Sequence, residues 1–486
     1  MKLDDATIAS RLVLSLPKAR WFADKGGGIA GVELVERLPL PGDGTDAMAL
    51  VDVRLAGGDR SARYAVMLDH VGNDATATPT VGRWLLDLVL SGGSLPGRRG
   101  RFVGHTTRAA SVVPTGPLTA STIGGNASNT SFVVRYGSTS WIIKLFRRCR
   151  AGIQPEVEVG EFFTVASPWQ QTPRLCGWLE YLPGDDRHAA ESTALATVHE
   201  FAAGHTTGWD RLVGLLTAAG GQTGGSAETV LAIVAALGRA TAGMHRAFSA
   251  RPDIPAFAPA PATPAGLQAA AKRMCEHAER VFASADARLP QLAPTIGRRL
   301  AAVVAARSRL VDRCAALANL PLATSTIRVH GDYHLGQVLV AEHDNKSLVA
   351  EHDNEPLVAE DRSVLVIDFE GEPGRTLSER REKTFAAKDV AGMCRSFDYL
   401  LRHVAKSTGQ PYAAADLERL EACYLDAYRE AAAGQPWWPA DRAAADALVA
   451  VFKLDKAIYE LAYELNNRPD WVDVPLAAIE EAVQAR

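Results

Sequence analysis

Two apolar runs that each end in a carboxylate constrain this chain more than any other feature. Ile327-Arg328-Val329 leads into His330-Gly331-Asp332-Tyr333-His334-Leu335-Gly336-Gln337, and Val364-Leu365-Val366-Ile367 delivers Asp368-Phe369-Glu370. Short β-rich runs read as strands, and a carboxylate at a strand end leaves the core for the solvent-facing loops that carry chemistry. Asp332 and Asp368 therefore end neighbouring segments, with the amide Gln337 between them. This inventory suits phosphoryl transfer. Asp332 orients and deprotonates a hydroxyl, while Gln337 and Asp368 offer an amide and a carboxylate oxygen to Mg²⁺.

Plainer readings compete residue by residue. His330 alone is better read as a core histidine bonded to backbone. His330, Asp332 and His334 alternate, so on a strand they would share a face and offer a zinc site. The glycines at 331 and 336 favour a loop instead, and zinc leaves Asp368 unexplained. Composition narrows the classes. The 486 residues carry 47% hydrophobic and 22% charged side chains with a net charge of −4, an ordinary globular balance with no basic footprint for nucleic acid or anionic membrane. The six cysteines form no C-x-x-C pair, so neither a zinc ribbon nor a disulfide framework is expected. The start MKLDDATIAS lacks the pattern of a signal peptide, and no apolar run reaches membrane-spanning length; a cytoplasmic location is expected.

In chain order, residues 1–110 read as a small α+β unit, with a hairpin of strands 47–55 and 63–68 and a helix over 81–90. Residues 111–205 read as a nucleotide-binding lobe. A strand over 118–123 leads to a loop of small residues containing Ser128, Asn129, Thr130 and Ser131, followed by strands 132–136 and 141–146. Such a loop lays backbone N–H groups over phosphates. Lys144 sits mid-strand among apolar neighbours and needs a partner or an anion; Glu158 in PEVEVGEFF is the first candidate, with Glu156 and Glu161 behind it. Strands 173–182 and 194–201 complete the lobe.

Residues 206–486 read as mainly helical, with helices over 229–248, 292–317, 389–401, 413–433 and 443–467. His245 reads as a residue facing core or helix dipole, and Asp389 as a helix N-cap or an organiser of the site floor. VAEHDNKSL at 340–348 is followed by VAEHDNEPL at 349–357, a tandem duplication expected to lengthen a polar hairpin at little entropic cost. Lys456, Tyr459, Tyr463 and Asn467 fall at three- and four-residue steps, hence on one helix face. That face reads either as inward-packed tyrosines or as a wall on which a sugar ring stacks.

HGDYHLGQ followed by IDFEGEP, together with RWFADKG at 20–26, KDVAGM at 388–393 and LDKAIYELAYELNNRPDW at 454–471, resembles the maltokinases, a branch of the aminoglycoside-phosphotransferase and protein-kinase-like group. The resemblance implies an α+β, bilobal protein-kinase-like fold with an N-terminal cap, a β-rich N-lobe and a mainly helical C-lobe. It implies ATP and Mg²⁺ as cofactors and transfer of phosphate to the anomeric hydroxyl of maltose, feeding α-glucan synthesis. It assigns Asp332 as base, Gln337 and Asp368 as metal ligands, and Lys144 paired with Glu158 as phosphate anchor. Glu200 and Ala202 would flank adenine. His334, Lys456, Tyr459, Tyr463 and Asn467 would line the sugar site. Association with a trehalose- or maltose-converting enzyme is a further implication. Two alternatives stay open. One is a kinase for another small sugar or an amino sugar such as glucosamine, with Glu460, Glu464 and Asp398 as acids for an ammonium. The other is a catalytically silent ligand-binding module.

Overall fold

The structure is a computed structural model that describes residues 3–25, 28–41, 47–57, 60–107, 116–123, 128–184, 192–218, 227–342 and 362–484. The chain forms two compact units, Met1–Ala203 with Glu372–Arg380, and Gly204–Gly371 with Arg381–Arg486.

The first unit is β-rich and contains two antiparallel sheets. The expected hairpin is present as Ala47–Leu55 and Ser61–Leu68, and the strand Ile29–Pro39 precedes it. Arg148–Cys149 completes this four-stranded sheet from far along the chain. The helix Asp5–Ser15, capped by Asp4 accepting from Thr7 N at 2.7 Å, buries Ile8 and Leu12 against it, with Trp21, Phe22, Val51 and Tyr64. The seven-stranded sheet runs Ser94–Pro96, Gly100–Thr106, Leu175–Pro183, Thr193–Glu200, Thr139–Leu145, Thr130–Tyr136, Thr119–Thr122. Pro79–Leu90 covers one face with Val81, Trp84, Leu85 and Val89.

A boundary at 110 is therefore not where the molecule divides. Residues 79–106 build the second sheet and its core, and the compact unit runs on to Ala203. Two buried polar side chains join the sheets. Glu36, fully buried on the first, accepts from Tyr181 Oη at 2.7 Å and from the backbone N–H groups of Arg98 and Arg99 at 2.6 and 2.7 Å. Arg147 donates to Thr130 Oγ1 and Asp74 Oδ2, each at 2.7 Å, and lies 4.3 Å from the centre of the Trp21 ring. Trp21 is thus more than an apolar plug, since its ring covers a buried guanidinium.

The second unit is mainly helical. Ala227–Ser249 packs along Ala414–Ala431, and Ala387–Thr408 along Arg442–Asn467. Ala227–Ser249 is long and apolar enough to cross a membrane, but Val230, Ile233, Val234, Leu237, Met244 and Phe248 are buried as core. The single helix expected over 292–317 is two, Pro294–Ala305 and Arg307–Ala315, meeting at Ala306. The first packs on both Asp473–Gln484 and Pro264–Asp286, and the second mainly on Pro264–Asp286. The expected strand 327–329 is also different. Ser325–Thr326 pairs with Ala260–Pro261, and Ile327 makes only an isolated bridge to Thr384. A small sheet orders His205–Thr207, Val338–Ala341 and Val364–Val366, with Val338 opposite Val366 and Val340 opposite Val364. Most of the duplicated segment, from 343 onward, lies outside the described residues.

Replacing Glu36 by Ala strands two backbone N–H groups and a phenol inside the first unit. The expected loss is about 3 kcal/mol, read as a lower urea midpoint for that unit. Leu14→Ala, at a side chain 70% exposed, is expected to leave it unchanged.

Candidate active site

In the helical unit, one helix face builds the floor. Asp389, Gly392 and Ser396 share a side of Ala387–Thr408, and each meets the loop 330–337. Asp389 Oδ2 accepts from His330 N at 2.8 Å and Oδ1 from Gly331 N at 2.9 Å. Ser396 Oγ accepts from Leu335 N at 3.1 Å. At Gly392 the backbones approach so closely that a Cβ would sit 2.5 Å from Tyr333 O. His245 Nε2 donates to Asp389 Oδ2 at 3.0 Å, and its Nδ1 receives Tyr428 Oη at 2.8 Å. His245 is thus a buried core residue, and its task is to hold Asp389. Asp389 is not the N-cap, which is Ala386. Burial pushes the Asp389 carboxyl up, but the His245 bond, the histidine charges and the Gly331 amide outweigh it and hold it below the usual carboxylate range.

His330 places both ring nitrogens on backbone, Nε2 donating to Ile367 O at 2.9 Å and Nδ1 accepting from Asp332 N at 3.3 Å. This is the backbone-bonded core histidine, and it leaves the ring no nitrogen for zinc. Gly331, at φ +86°, makes the turn that brings Asp332 out. Asp332 Oδ1 lies 2.9 Å from Lys456 Nζ, so the structure joins the expected base to a residue of the expected sugar wall.

Gln337 Nε2 donates to Asp368 Oδ2 at 2.7 Å, and Ile367 N donates to Gln337 O at 3.0 Å. Asp368 has φ +68°, the one non-glycine residue in that region among the described residues. Such a conformation costs on the order of 1 kcal/mol and marks a position held for a purpose. A carboxylate and an amide oxygen, both hard donors, fit Mg²⁺. His334 caps the short turn Leu335–Gln337, its Nδ1 accepting from Gly336 N at 3.0 Å, and burial holds its pKa down, so the ring is neutral at neutral pH.

Along Arg442–Asn467, Tyr459 lies 4.8 Å from Lys456 Nζ, whereas Tyr463 is 42% exposed and Asn467 is exposed, bonding Tyr463 O at 2.9 Å. Asn467 stands about 16 Å along the helix from Lys456. The acids proposed for an ammonium are already engaged. Asp398 takes Arg395 and Arg402, each at 2.7 Å, and Glu464 takes Tyr399 Oη at 3.0 Å and Arg468 Nη2 at 2.5 Å. Glu460 receives Arg395 Nε at 2.9 Å. Asp398 and Glu464, both buried, are corrected to structural ion pairs.

In the β-rich unit, Lys144 Nζ lies 2.5 Å from Glu156 Oε2, and both are buried. The expected partner Glu158 is corrected to Glu156. Residues two positions apart on a helix are separated by about 200°, so in Pro155–Glu161 the buried position is 156 and the half-buried one 158. Ser131 stands directly across from Lys144 in register. Thr130 does not share that face, because its hydroxyl accepts from Arg147. Asn129 is buried and Ser128 half-buried just before the strand. Glu200 ends the strand Thr193–Glu200, its N–H donating to Arg174 O at 3.0 Å, and Ala202 follows it. Thr197, opposite Lys144, is fully buried with no hydrogen-bond partner for its hydroxyl among the described residues. His199 Nε2 lies 3.6 Å from Glu156 Oε1. Neither was found from the sequence, where both read as strand residues of LATVHEF.

Residues 119–350 match the model of the phosphotransferase enzyme family, APH. A glucosamine kinase of Streptacidiphilus jiangxiensis is 29% identical over 320 residues, 65% of this chain and 63% of the relative. One of Mycolicibacterium smegmatis is 28% identical over 295 residues, 59% of this chain and 62% of the relative. The matched stretch thus spans less than two thirds of either relative. A solved glucosamine kinase in complex with glucosamine, ADP and inorganic phosphate superposes with TM-score 0.61 at 23% identity, covering 99% of this chain and 100% of that one. Residues 119–350 thus resemble the APH phosphotransferases, and the fold of the chain is kinase-like. The named relatives are glucosamine kinases, not maltokinases.

Two outcomes are expected. Glu156→Gln is expected to weaken ADP binding by about tenfold, the scale of one charge-assisted bond, while Glu158→Gln leaves it within about twofold; calorimetry checks both. For Asp389, the folded pKa lies below the unfolded value of about 3.9. Its stabilisation is therefore fully present above that value and lost as pH falls through the folded pKa. Acid titration of Asp389→Asn, followed by circular dichroism, is expected to show a shallower loss below about pH 4 than wild type.

Proposed function

We propose that this chain is an ATP-dependent kinase of a small amino sugar, with glucosamine as the first candidate acceptor. The observation that carries the proposal is Asp332, presented on a loop fixed by Asp389 and His330, in the same unit as the bonded pair Gln337–Asp368. A sugar hydroxyl gives its proton to Asp332 as its oxygen bonds to the γ-phosphorus. The bond from that phosphorus to the β–γ bridging oxygen breaks, and ADP leaves with the electron pair. Mg²⁺, held by Asp368 and the Gln337 amide oxygen, would supply neutralising charge for the phosphates. Lys144, held by Glu156, anchors phosphate; the backbone at 128–131 covers it, and that of Glu200 and Ala202 meets adenine. His334, Tyr459, Tyr463 and Asn467 are assigned to the sugar side. The amino-sugar choice is supported by the glucosamine kinases that the chain resembles. The cytoplasm, where ATP is abundant, is the proposed location.

Maltose, phosphorylated at its anomeric hydroxyl, is the second reading. It is favoured by one feature, the exposed extension of the helix wall through Tyr463 and Asn467, long enough for a second ring.

The test is ADP release from ATP with the full chain on glucosamine, N-acetylglucosamine, glucose and maltose, with the product read by phosphorus NMR. Glucosamine is expected to give a kcat/KM at least about tenfold above the others, the scale a single polar contact supplies. Asp332→Asn is expected to lower kcat by about 10²-fold or more, with ADP affinity kept. Maltose as best substrate selects the second reading. No ADP release with any sugar makes the chain a silent binding module.

A further inference from the structure

Asp332 meets a charge from 124 residues away in sequence, the ammonium of Lys456 at 2.9 Å from its Oδ1. Both side chains are largely shielded, 15% and 21% exposed, so this is no loose surface pair. The ordinary partner for a helical lysine is an acid four residues on, here Glu460. That carboxylate is turned to Arg395, whose Nε lies 2.9 Å from its Oε2 and whose guanidinium is itself buried. Arg395 in turn is shared with Asp398, and Asp398 with Arg402. One oxygen of Glu460 is thus held by Arg395 rather than left to Lys456 alone. The Tyr459 ring, 4.8 Å from Nζ, flanks the ammonium on its own helix. Lys456 is aimed at the catalytic loop by what its neighbours are doing.

The backbone of Asp332 is already fixed, its N–H bonded to His330. What a backbone bond leaves undetermined is rotation of the carboxylate. We infer that Lys456 is the positioning residue for Asp332, pinning Oδ1 so that Oδ2 meets the acceptor hydroxyl, rather than a ligand of the sugar. This deepens the kinase reading and rests on it. Because a loose transition state leaves the protein mainly positioning work, a base that rotates freely loses rate without losing substrate.

The experiment uses the full chain and the best sugar from the panel. Lys456→Met is expected to lower kcat on the order of tenfold to a hundredfold, with the sugar KM, ADP affinity and urea midpoint within about twofold. Lys456→Arg, which keeps a cation on the carboxylate, is expected to recover most of that rate. Combined with Asp332→Asn, Lys456→Met is expected to add no further loss, because a positioning residue has nothing left to position. A sugar KM raised about tenfold with kcat kept, or losses that multiply in the double variant, would make Lys456 an independent sugar ligand and overturn the inference. Full activity in Lys456→Met also overturns it, leaving the kinase reading intact. A wild-type chain inactive on every sugar overturns both.

Discussion

One buried carboxylate, Asp389, sets the geometry on which the helical unit's site depends. Two backbone amides at the start of the catalytic loop and a histidine converge on its two oxygens. A charge taken out of water is costly unless its hydrogen bonds are met, and here the bonds that meet it are the ones that shape the loop. The consequence passes along a chain of single contacts. His330, held by its amide, bonds the carbonyl of Ile367, and Ile367 bonds the carbonyl of Gln337. Gln337 in turn holds Asp368 in a left-handed backbone conformation that a non-glycine residue rarely adopts. The proposed base and metal ligands are thereby registered to one another through buried or half-buried side chains that are each bonded to backbone or to one another.

The same logic appears in the β-rich unit at Glu36 and Arg147. Each is a charged side chain placed where two sheets meet, and each satisfies groups from distant parts of the chain. Apolar packing between sheets is permissive about small displacements, whereas a buried ion with several directional partners is not. The RWF segment contributes its tryptophan as the lid over Arg147. Arg147 also bonds Thr130, so the first residue of the strand Thr130–Tyr136 is tied into this junction.

The similar relatives are glucosamine kinases, whereas the sequence motifs resembled those of maltokinases. The acid pairs explain why the motif could not decide. Asp398 and Glu464 look available in sequence, yet arginines take them as structural partners. What recognises a substrate amine or a second sugar ring is set by which charges remain after the arginines have chosen.

By itself, the sequence determined the local elements whose signals are local. Apolar runs ending in Asp368, the lysine amid IIKLF and the hairpin of 47–68 were legible because alternation, turn residues and a charge out of place are written within a few residues. His330 was legible too, since a histidine beside a strand is most often satisfied by backbone. Tertiary structure alone decided the rest. Which glutamate faces Lys144 depends on how one short helix is rotated against a sheet. Where the β-rich unit ends depends on Gly100–Thr106 pairing with Leu175–Pro183. That Lys456 meets Asp332 depends on how the helix Arg442–Asn467 packs beside the loop 330–337. Each of these is a competition among partners more than ten residues apart in sequence, or a choice between faces of one helix, and no short window of sequence contains the competitors.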